Sequence, residues 1–237
     1  MNKKYYVTTA IDYTNDVIHI GHAYQKILAD VLARYHRQIG DKTYFLTGTD
    51  EHGQKVESSA KEKGINPKDF VDKIAKEDKK QWDKLNISYD RFIRTTDADH
   101  VKFSQEFYLK AKANGDIYKA KYKGFYCEGC ESFKEASELN EEKCEFHPTK
   151  KIQKIEEQNY FFALSKYQKF LLNHIKKHPE FIWPESRRNE ILSFIKSGLK
   201  DFSISRQNVT WGISVPDDPT HTIYVWFDAL INYLTYG

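Results

Sequence analysis

The fold is decided near the amino terminus, in a segment that begins with Tyr5-Tyr6-Val7-Thr8-Thr9-Ala10-Ile11. Runs of β-branched and aromatic residues are typical of buried strands. A helical pattern follows from about residue 20 to Gly40, and residues 43–47 form a second strand-like run. A strand–helix–strand unit of this size predicts parallel strands with a right-handed crossover. We expect the helix to have one apolar face, formed by Ile20, Ala23, Ile27, Val31, Tyr35 and Ile39.

The alternation of helices and strands continues to Gly115. Residues 54–63 predict a helix, and Asn66 followed by Pro67 is typical of an N-cap and first helical residue. A third strand is predicted over 89–96 and another helix over 97–114. The pattern predicts an α/β protein with a Rossmann-like, doubly wound parallel sheet.

The pattern changes after Gly115, where alternating residues indicate a half-buried antiparallel strand. We interpret residues 1–115 as the first half of a Rossmann-like domain and 116–221 as a connective insertion. Residues 222–237 would begin the second half, with a strand over 222–227 that rejoins the first sheet.

Composition excludes several classes of protein. The 37 Lys and Arg residues nearly balance 34 Asp and Glu residues, giving a net charge of +3 and arguing against a purely electrostatic nucleic-acid binder. A hydrophobic fraction of 40% argues against disorder. We find no membrane-spanning run and no signal peptide, and the three clustered cysteines favour metal binding in a reducing compartment. A cytoplasmic location is therefore expected.

The cysteines form one of two constellations that carry chemistry. Cys127 and Cys130 make a Cys-x2-Cys pair, and Cys144 and His147 make a Cys-x2-His pair after thirteen intervening residues. Such pairs can wrap a tetrahedral Zn²⁺, and four protein ligands leave no position for substrate. The spacing predicts one structural zinc knuckle that stiffens a small part of the insertion. Free buried thiols beside a surface His147 are the alternative.

His19-Ile20-Gly21-His22 opens the first predicted helix and is the second constellation. A helix N-terminus binds anions, and two imidazoles three residues apart can donate to the same phosphate. Gly21 allows close approach of a planar base or a phosphate. One capping histidine in a chance tetrapeptide is the alternative, but the position at a strand–helix junction favours phosphate binding.

These residues resemble the sequence motifs of a known family. His19-Ile20-Gly21-His22 resembles the signature of class I aminoacyl-tRNA synthetases, and further blocks resemble the methionyl-tRNA synthetases in particular. The resemblance covers essentially the whole chain, in the family's order. The further blocks are Ala10-Ile11-Asp12-Tyr13, Thr47-Gly48-Thr49-Asp50-Glu51-His52-Gly53, Glu157-Gln158-Asn159-Tyr160-Phe161-Phe162, Ser205-Arg206, Trp211-Gly212-Ile213-Ser214-Val215-Pro216 and Tyr224-Val225-Trp226-Phe227-Asp228-Ala229.

The resemblance implies methionine activation by ATP with Mg²⁺, followed by transfer to tRNA. His19 and His22 would stabilise the α-phosphate, and Gly21 would make room for adenine. Asp50 would hold the ammonium of methionine, although from position alone it could equally cap a helix. In the same way, a strand residue such as Trp226 could be plain core. The residues that match the family's methionine site are Ile11, Tyr13, Asp50, Arg206, Trp226, Ala229, Leu230 and Tyr233.

Part of the family's machinery is missing from this sequence. Its only methionine is Met1, so the loop of the form Lys-Met-Ser-Lys-Ser is absent, as is a helical region for reading the anticodon. We therefore expect the N-terminal part of a methionine–tRNA ligase. A non-catalytic binding module and a small nucleotidyltransferase are the alternatives from other classes. A cysteinyl-tRNA synthetase is disfavoured because its metal binds the substrate thiol and needs an open position. The related valyl, isoleucyl and leucyl enzymes are disfavoured because their editing insertion is much longer than residues 116–221.

Overall fold

The computed structural model describes residues 3–15, 18–134, 138–140 and 143–235, so the outer ends of the predicted domains, at 1 and 237, lie outside it. Strands and helices alternate in the first half of the chain, and antiparallel strands dominate after it. The strands are β1 (Lys4–Thr8), β2 (Asp12–Tyr13), β3 (Lys42–Asp50), β4 (Arg91–Arg94), β5 (Ile117–Cys127), β6 (Ser132–Lys134), β7 (Leu139–Asn140), β8 (Lys143–Cys144), β9 (Gln153–Phe162), β10 (Phe202–Ser203), β11 (Ser205–Arg206) and β12 (Thr222–Ile223). The helices are α1 (Ile20–Gln38), α2 (Gln54–Glu62), α3 (Pro67–Lys84), α4 (Ala98–Ala113), α5 (Gln168–Lys177), α6 (Glu185–Lys196) and α7 (Val225–Ile231).

A four-stranded parallel sheet organises the first half. Strand β3 lies at its centre and pairs in parallel with β1, β2 and β4. Val7 lies opposite Phe45, and Tyr13 lies opposite Asp50 at the carboxyl end of β3. The predicted mixed α/β fold with a parallel sheet is confirmed, and its carboxyl edge is where ligands bind in such sheets.

Helix α3 begins as the sequence predicts. Asn66 is its N-cap, and the Asn66 side chain accepts a hydrogen bond from the Lys68 backbone N–H at 2.8 Å. Pro67 occupies the first helical position, where its missing N–H costs nothing. The aromatic rings of Phe70 and Trp82 are buried beneath the helix.

The predicted buried face of α1 is wrong. Ile27, Val31 and Tyr35 are all exposed, whereas the buried face consists of Lys26, Ala29, Asp30 and Ala33. Lys26 is fully buried because its ammonium donates to Ala10 O at 2.7 Å and to Asp12 Oδ1 at 2.9 Å. Paired charges and small residues therefore face the sheet.

The second half contains an antiparallel sheet. Strand β5 pairs with β9 over ten residues, from Ile117 opposite Phe162 to Tyr126 opposite Gln153, and β6 and β10 extend the sheet at its edges. The predicted strand over 222–227 is wrong: only Thr222 and Ile223 form a strand, β12, which pairs antiparallel with β11 and not with the first sheet, and α7 begins at Val225. Tyr224 is the N-cap of α7, and its backbone N–H bonds to Ile204.

Two clusters of buried side chains support the candidate site. One lies between α1 and the parallel sheet and includes Phe45 and Trp82. The other joins α4 and the antiparallel sheet to α7, and includes Tyr108, Tyr160 and Phe227. Among the described residues, no helix has both the length and the apolar character that crossing a membrane requires.

Gly48 tests the tight pairing of β3 with β4. A Cβ at Gly48 would lie 1.8 Å from the backbone oxygen of Ile93, so Gly48→Ala must push the strands apart. We expect the unfolding free energy to fall by about 3 kcal/mol, the upper part of the range for overpacking, as measured by urea denaturation.

Gly64→Ala is the comparison for this prediction. Nothing lies within 4 Å of a Cβ there, but Gly64 has φ +64°, so alanine costs only about 1 kcal/mol of backbone strain. Equal destabilisation by the two variants would contradict the prediction.

Candidate active site

The first turn of α1 presents two imidazoles at the helix N-terminus. His19 is the N-cap, and its Nδ1 accepts a hydrogen bond from Gly21 N at 3.0 Å. Nδ1 of His22 accepts in return from His19 N at 3.0 Å, and the two ring centroids lie 4.1 Å apart. A neutral imidazole that accepts at Nδ1 carries its proton on Nε2. Both rings can therefore donate to an anion at the positive end of the helix.

Asp50 ends β3 and lies at the carboxyl edge of the parallel sheet. Its backbone oxygen accepts from Thr14 N at 3.0 Å and from Thr14 Oγ1 at 3.1 Å, which fixes the loop after β2. The carboxylate is buried, and its Oδ1 has no hydrogen-bond partner in the part of the chain that the structure describes. Burial raises the pKa of Asp50 well above its usual range, and the nearby charges of Asp228 and Glu131 raise it further. A cation at this position would offset both effects.

Asp228 joins two distant histidines inside the protein. Its Oδ2 lies 2.6 Å from His52 Nδ1, and its Oδ1 lies 2.6 Å from His100 Nε2. Burial alone would raise the pKa of Asp228, but the His52 charge and hydrogen bonds from both rings outweigh it, so the pKa lies below its usual value. The three side chains connect the loop after β3, helix α4 and helix α7.

Two of the predicted aromatic site residues lie near Asp50, and other predicted site residues are on α7 or next to β2. Tyr13 lies opposite Asp50 in the sheet, and Tyr233 is close enough that the Asp50 charge helps to raise its pKa, after the larger effect of burial. Trp226, at 51% exposure, and Leu230 extend from α7 toward solvent, while Ala229 on the same helix is buried. Ile11 precedes Tyr13 in the chain and is half-buried.

Arg206 lies deeper than the other predicted methionine-site residues. Its Nε donates to Glu157 Oε2 at 3.1 Å, and its guanidinium stacks 4.1 Å from the Tyr126 ring centroid. Burial alone would raise the pKa of Glu157, but the Arg206 charge and its hydrogen bond lower it. The structure thus pairs Arg206 with Glu157 beneath Tyr126, and shows no hydrogen bond or ion pair between Arg206 and Asp50 among the described residues.

The four predicted metal ligands converge at the tip of the β5–β6 hairpin. Their ligand atoms all lie within 4.8 Å of one another. Cys130 Sγ lies 3.4 Å from Cys144 Sγ and 3.2 Å from His147 Nδ1, and Cys127 Sγ lies 3.9 Å from the same nitrogen. The Cys₃His cluster can hold a metal ion. A Cβ at Gly129 would meet the His147 ring at 2.4 Å, so this turn leaves room only for hydrogen.

Two buried acids near the site were not singled out from the sequence. Glu131 follows Cys130 and is surrounded by donors, but a glutamate in a polar turn has no distinguishing signal in the sequence. Asp228 does have one, because it interrupts the apolar run Val225-Trp226-Phe227-Asp228-Ala229. A carboxylate in such a run is expected to be paired.

A parallel β–α–β unit with paired histidines at the first helix N-terminus and an acid at the carboxyl edge is the arrangement expected of class I aminoacyl-tRNA synthetases and of their nucleotidyltransferase relatives. The chain matches the family model described as "tRNA synthetases class I (M)" over residues 5–144 and 127–237. The chain belongs to this family.

Individual relatives, two compared by sequence and one by its solved structure, agree with this family assignment. The methionine–tRNA ligase of Caldanaerobacter subterraneus subsp. tengcongensis is 50% identical over 99% of this chain, which covers 37% of that protein. The Thermotoga maritima methionine–tRNA ligase is 51% identical over 98% of this chain, again with 37% of the relative covered. The Mycobacterium tuberculosis methionyl-tRNA synthetase in complex with methionyl-adenylate is 46% identical, with a TM-score of 0.94, over 98% of this chain and 46% of its own. The chain therefore spans less than half the length of these relatives.

The Asp228 pairing predicts a pH-dependent loss of stability. Asp228→Asn removes the buried charge that both histidines face, so we expect the unfolding free energy at pH 7 to fall by about 2–4 kcal/mol. Because the folded-state pKa of Asp228 lies below its usual value, the charge stabilises the fold above about pH 4, the unfolded pKa. That contribution is lost as the pH falls through the folded pKa.

Urea denaturation over a pH series measures the gap in unfolding free energy between the wild type and Asp228→Asn. This gap should be present at neutral pH and should close in acid. The exposed Asp69→Asn should have the unfolding free energy of the wild type at every pH. A gap that persists undiminished in acid would count against the charge as its cause.

Proposed function

We propose that the protein of which this chain forms part is a methionine–tRNA ligase. It would join methionine to ATP, giving methionyl-adenylate and pyrophosphate, and would then transfer the methionyl group to the terminal adenosine of tRNA. The proposal rests chiefly on Asp50, a buried carboxylate with an unpartnered oxygen among aromatic residues, on the same edge as the α1 N-terminus. A site of this kind fits an amino acid whose side chain is apolar and whose ammonium needs an anion.

The activation step can be written from these groups. An oxygen of the methionine carboxylate attacks the α-phosphorus of ATP, a new oxygen–phosphorus bond forms, and the bond to the β-phosphate oxygen breaks as pyrophosphate leaves. His19 and His22 would donate from Nε2 to the α-phosphate oxygens as charge develops there, and Gly21 would allow adenine to approach. Mg²⁺ would accompany ATP and neutralise phosphate charge. The contribution of the protein is positioning and charge stabilisation.

The substrate side chain would lie among the apolar groups near Asp50. Tyr13, Trp226 and Tyr233 supply aromatic surface, and a thioether sulfur gains about 0.3–1.5 kcal/mol from each such contact. Ile11, Ala229 and Leu230 would complete this pocket. Arg206 would act on it indirectly, through the packing of Tyr126.

We propose that the Cys₃His cluster holds one structural Zn²⁺. Zinc–sulfur bonds of about 2.3 Å in a tetrahedron place ligand atoms about 3.8 Å apart, close to the 3.2–3.9 Å between the thiols and His147 Nδ1. All four positions would be taken by protein, so the metal would stabilise the hairpin tip and not meet substrate. Three thiols held as ligands also fit the reducing cytoplasm.

We further propose the domain division suggested by the sequence: residues 1–115 and 222–237 as parts of the catalytic domain, and 116–221 as the connective insertion. The break after Gly115 coincides with the change from parallel to antiparallel strands, which supports this boundary. Helix α7 returns to the Asp50 region through Asp228, which supports grouping the last residues with the first half.

The test of the activity is methionine-dependent exchange of labelled pyrophosphate into ATP by the complete natural protein. Asp50→Asn should raise the KM for methionine by about 100-fold, the loss of a charge-assisted contact, with little change in the KM for ATP. The exposed Glu62→Gln serves as the matched control. Exchange driven by cysteine, or none with any amino acid, would overturn the proposal.

Methionine affinity should also depend on pH through Asp50. Only the ionised carboxylate attracts an ammonium, and the pKa of Asp50 lies well above its usual value in the free protein. Affinity should therefore decline, as the pH falls, well before an ordinary carboxylate would protonate near about pH 4. The KM for methionine, measured from pH 8 downward, should lose this dependence in Asp50→Asn.

Metal content provides an independent prediction. The purified protein should contain about one zinc per chain, and Cys144→Ser should weaken zinc binding by more than about 100-fold, since even loss of an outer partner costs roughly 10- to 100-fold. Competition with a chromogenic chelator measures both affinities. The neighbouring exposed Glu145→Gln should bind as the wild type does, and equal affinities for all three proteins would rule out the knuckle.

A further inference from the structure

Glu131 adopts an unusual backbone conformation just after the metal-ligating turn. Its φ of +48° lies in the left-handed region, which is strained for a residue with a Cβ. The side chain is nevertheless buried, at 5% exposure. In this conformation the Glu131 carbonyl accepts hydrogen bonds from Tyr224 OH and, at 3.0 Å, from Trp226 Nε1. The backbone of Glu131 therefore holds the indole of a proposed pocket residue.

The carboxylate of Glu131 contacts a second proposed pocket residue, Tyr13. Its Oε1 accepts from Tyr13 OH at 3.0 Å and from the backbone N–H of Lys55, and its Oε2 accepts from Tyr126 OH. One residue thus receives five donors from four parts of the chain: β2, α2, β5 and the segment around the start of α7.

The contact with Lys55 explains how the carboxylate can be buried. Gly53 is the N-cap of α2 and has no side chain to cap the helix, so the Glu131 carboxylate takes that place at the positive end of the helix. A Cβ at Gly53 would lie 2.9 Å from Glu131 Oε1 and 3.1 Å from Tyr13 OH. The glycine therefore leaves the space that the acid and the tyrosine share.

We propose that Glu131 is a positioning residue that sets the width of the methionine pocket by holding the Tyr13 ring from one side and the Trp226 indole from the other. The inference rests on the proposed function. It assigns selectivity for an unbranched thioether side chain to a residue that does not touch the substrate. Two aromatic rings held at a fixed spacing admit an unbranched side chain and exclude a thicker, branched one. If the rings were free to move, the pocket could repack around other side chains and would lose this selectivity.

The alternative is that Glu131 only stabilises the fold of the metal-binding turn. That role predicts a loss of zinc or of thermal stability in its variants, with unchanged kinetic constants in the molecules that remain folded. Positioning predicts a change in the KM for methionine and in the preference for methionine over the branched leucine, at unchanged KM for ATP and unchanged zinc content.

Two substitutions separate the carboxylate from the backbone. Glu131→Gly keeps the left-handed conformation, and so the carbonyl that holds Trp226, but removes every bond to Tyr13. Glu131→Gln keeps an acceptor for Tyr13 OH without the charge. In pyrophosphate exchange by the complete protein, we expect Glu131→Gly to raise the KM for methionine by about 10- to 100-fold, from the lost charge-assisted bonds. Glu131→Gln should recover most of that loss, and Glu131→Gly should narrow the preference for methionine over the branched leucine.

A double-mutant cycle tests whether Glu131 affects the kinetics with methionine through Tyr13. If Glu131 acts through Tyr13, Tyr13→Phe and Glu131→Gly should be non-additive in kcat/KM for methionine. The exposed Glu145→Gln, beside Cys144, should change none of these values. Unchanged methionine KM and an unchanged preference for methionine over leucine in folded, zinc-containing Glu131→Gly would overturn the inference while exchange by the wild type upholds the proposed function. Absence of exchange in the wild type would instead refute the proposed function itself.

Discussion

The parallel pairing of β3 with β1 and β2 is the constraint on which the rest of the structure depends. Parallel strands need a crossover, and α1 provides it, so the end of β2 and the end of β3 meet at one edge. This pairing places Tyr13 opposite Asp50 and brings the N-terminus of α1 close to the same edge. A phosphate site and an acid for an ammonium therefore arise from the topology of one β–α–β unit.

Buried carboxylates carry the electrostatics of the site, and they differ in how their charge is offset. Asp228 faces two imidazoles, and its pKa is low because their charge and hydrogen bonds outweigh burial. Three donors reach the Glu131 carboxylate, yet its pKa remains above the usual value because burial dominates. Among the described residues neither a cation nor a donor reaches Asp50 Oδ1, and burial raises the pKa of Asp50 well above its usual value. The acid whose charge is least offset is the one proposed to bind a cationic substrate group.

Local rules predicted a large part of this molecule. Asn66 and Pro67 start α3 as their stereochemistry requires, and the two cysteine-containing pairs converge although thirteen residues separate them. The prediction that the apolar face of α1 is buried was wrong, for a definite reason. Periodicity reports that Ile27 and Val31 share a face, but it does not report which face meets the sheet, and paired Lys26 took the inner position. The prediction of a strand through Phe227 was wrong because an apolar run of this length is compatible with either a strand or a buried helix.

The class of fold, the caps and the ligand spacing can be predicted from the amino-acid pattern, because they depend on residues that are close in the chain. The tertiary structure decided which buried charges meet: Asp228 with His52 and His100, Arg206 with Glu157, and Glu131 with Tyr13. Each of these contacts joins residues more than forty positions apart. Burial then makes every such partner obligatory, since an uncompensated charge inside the protein costs more than a local preference can supply.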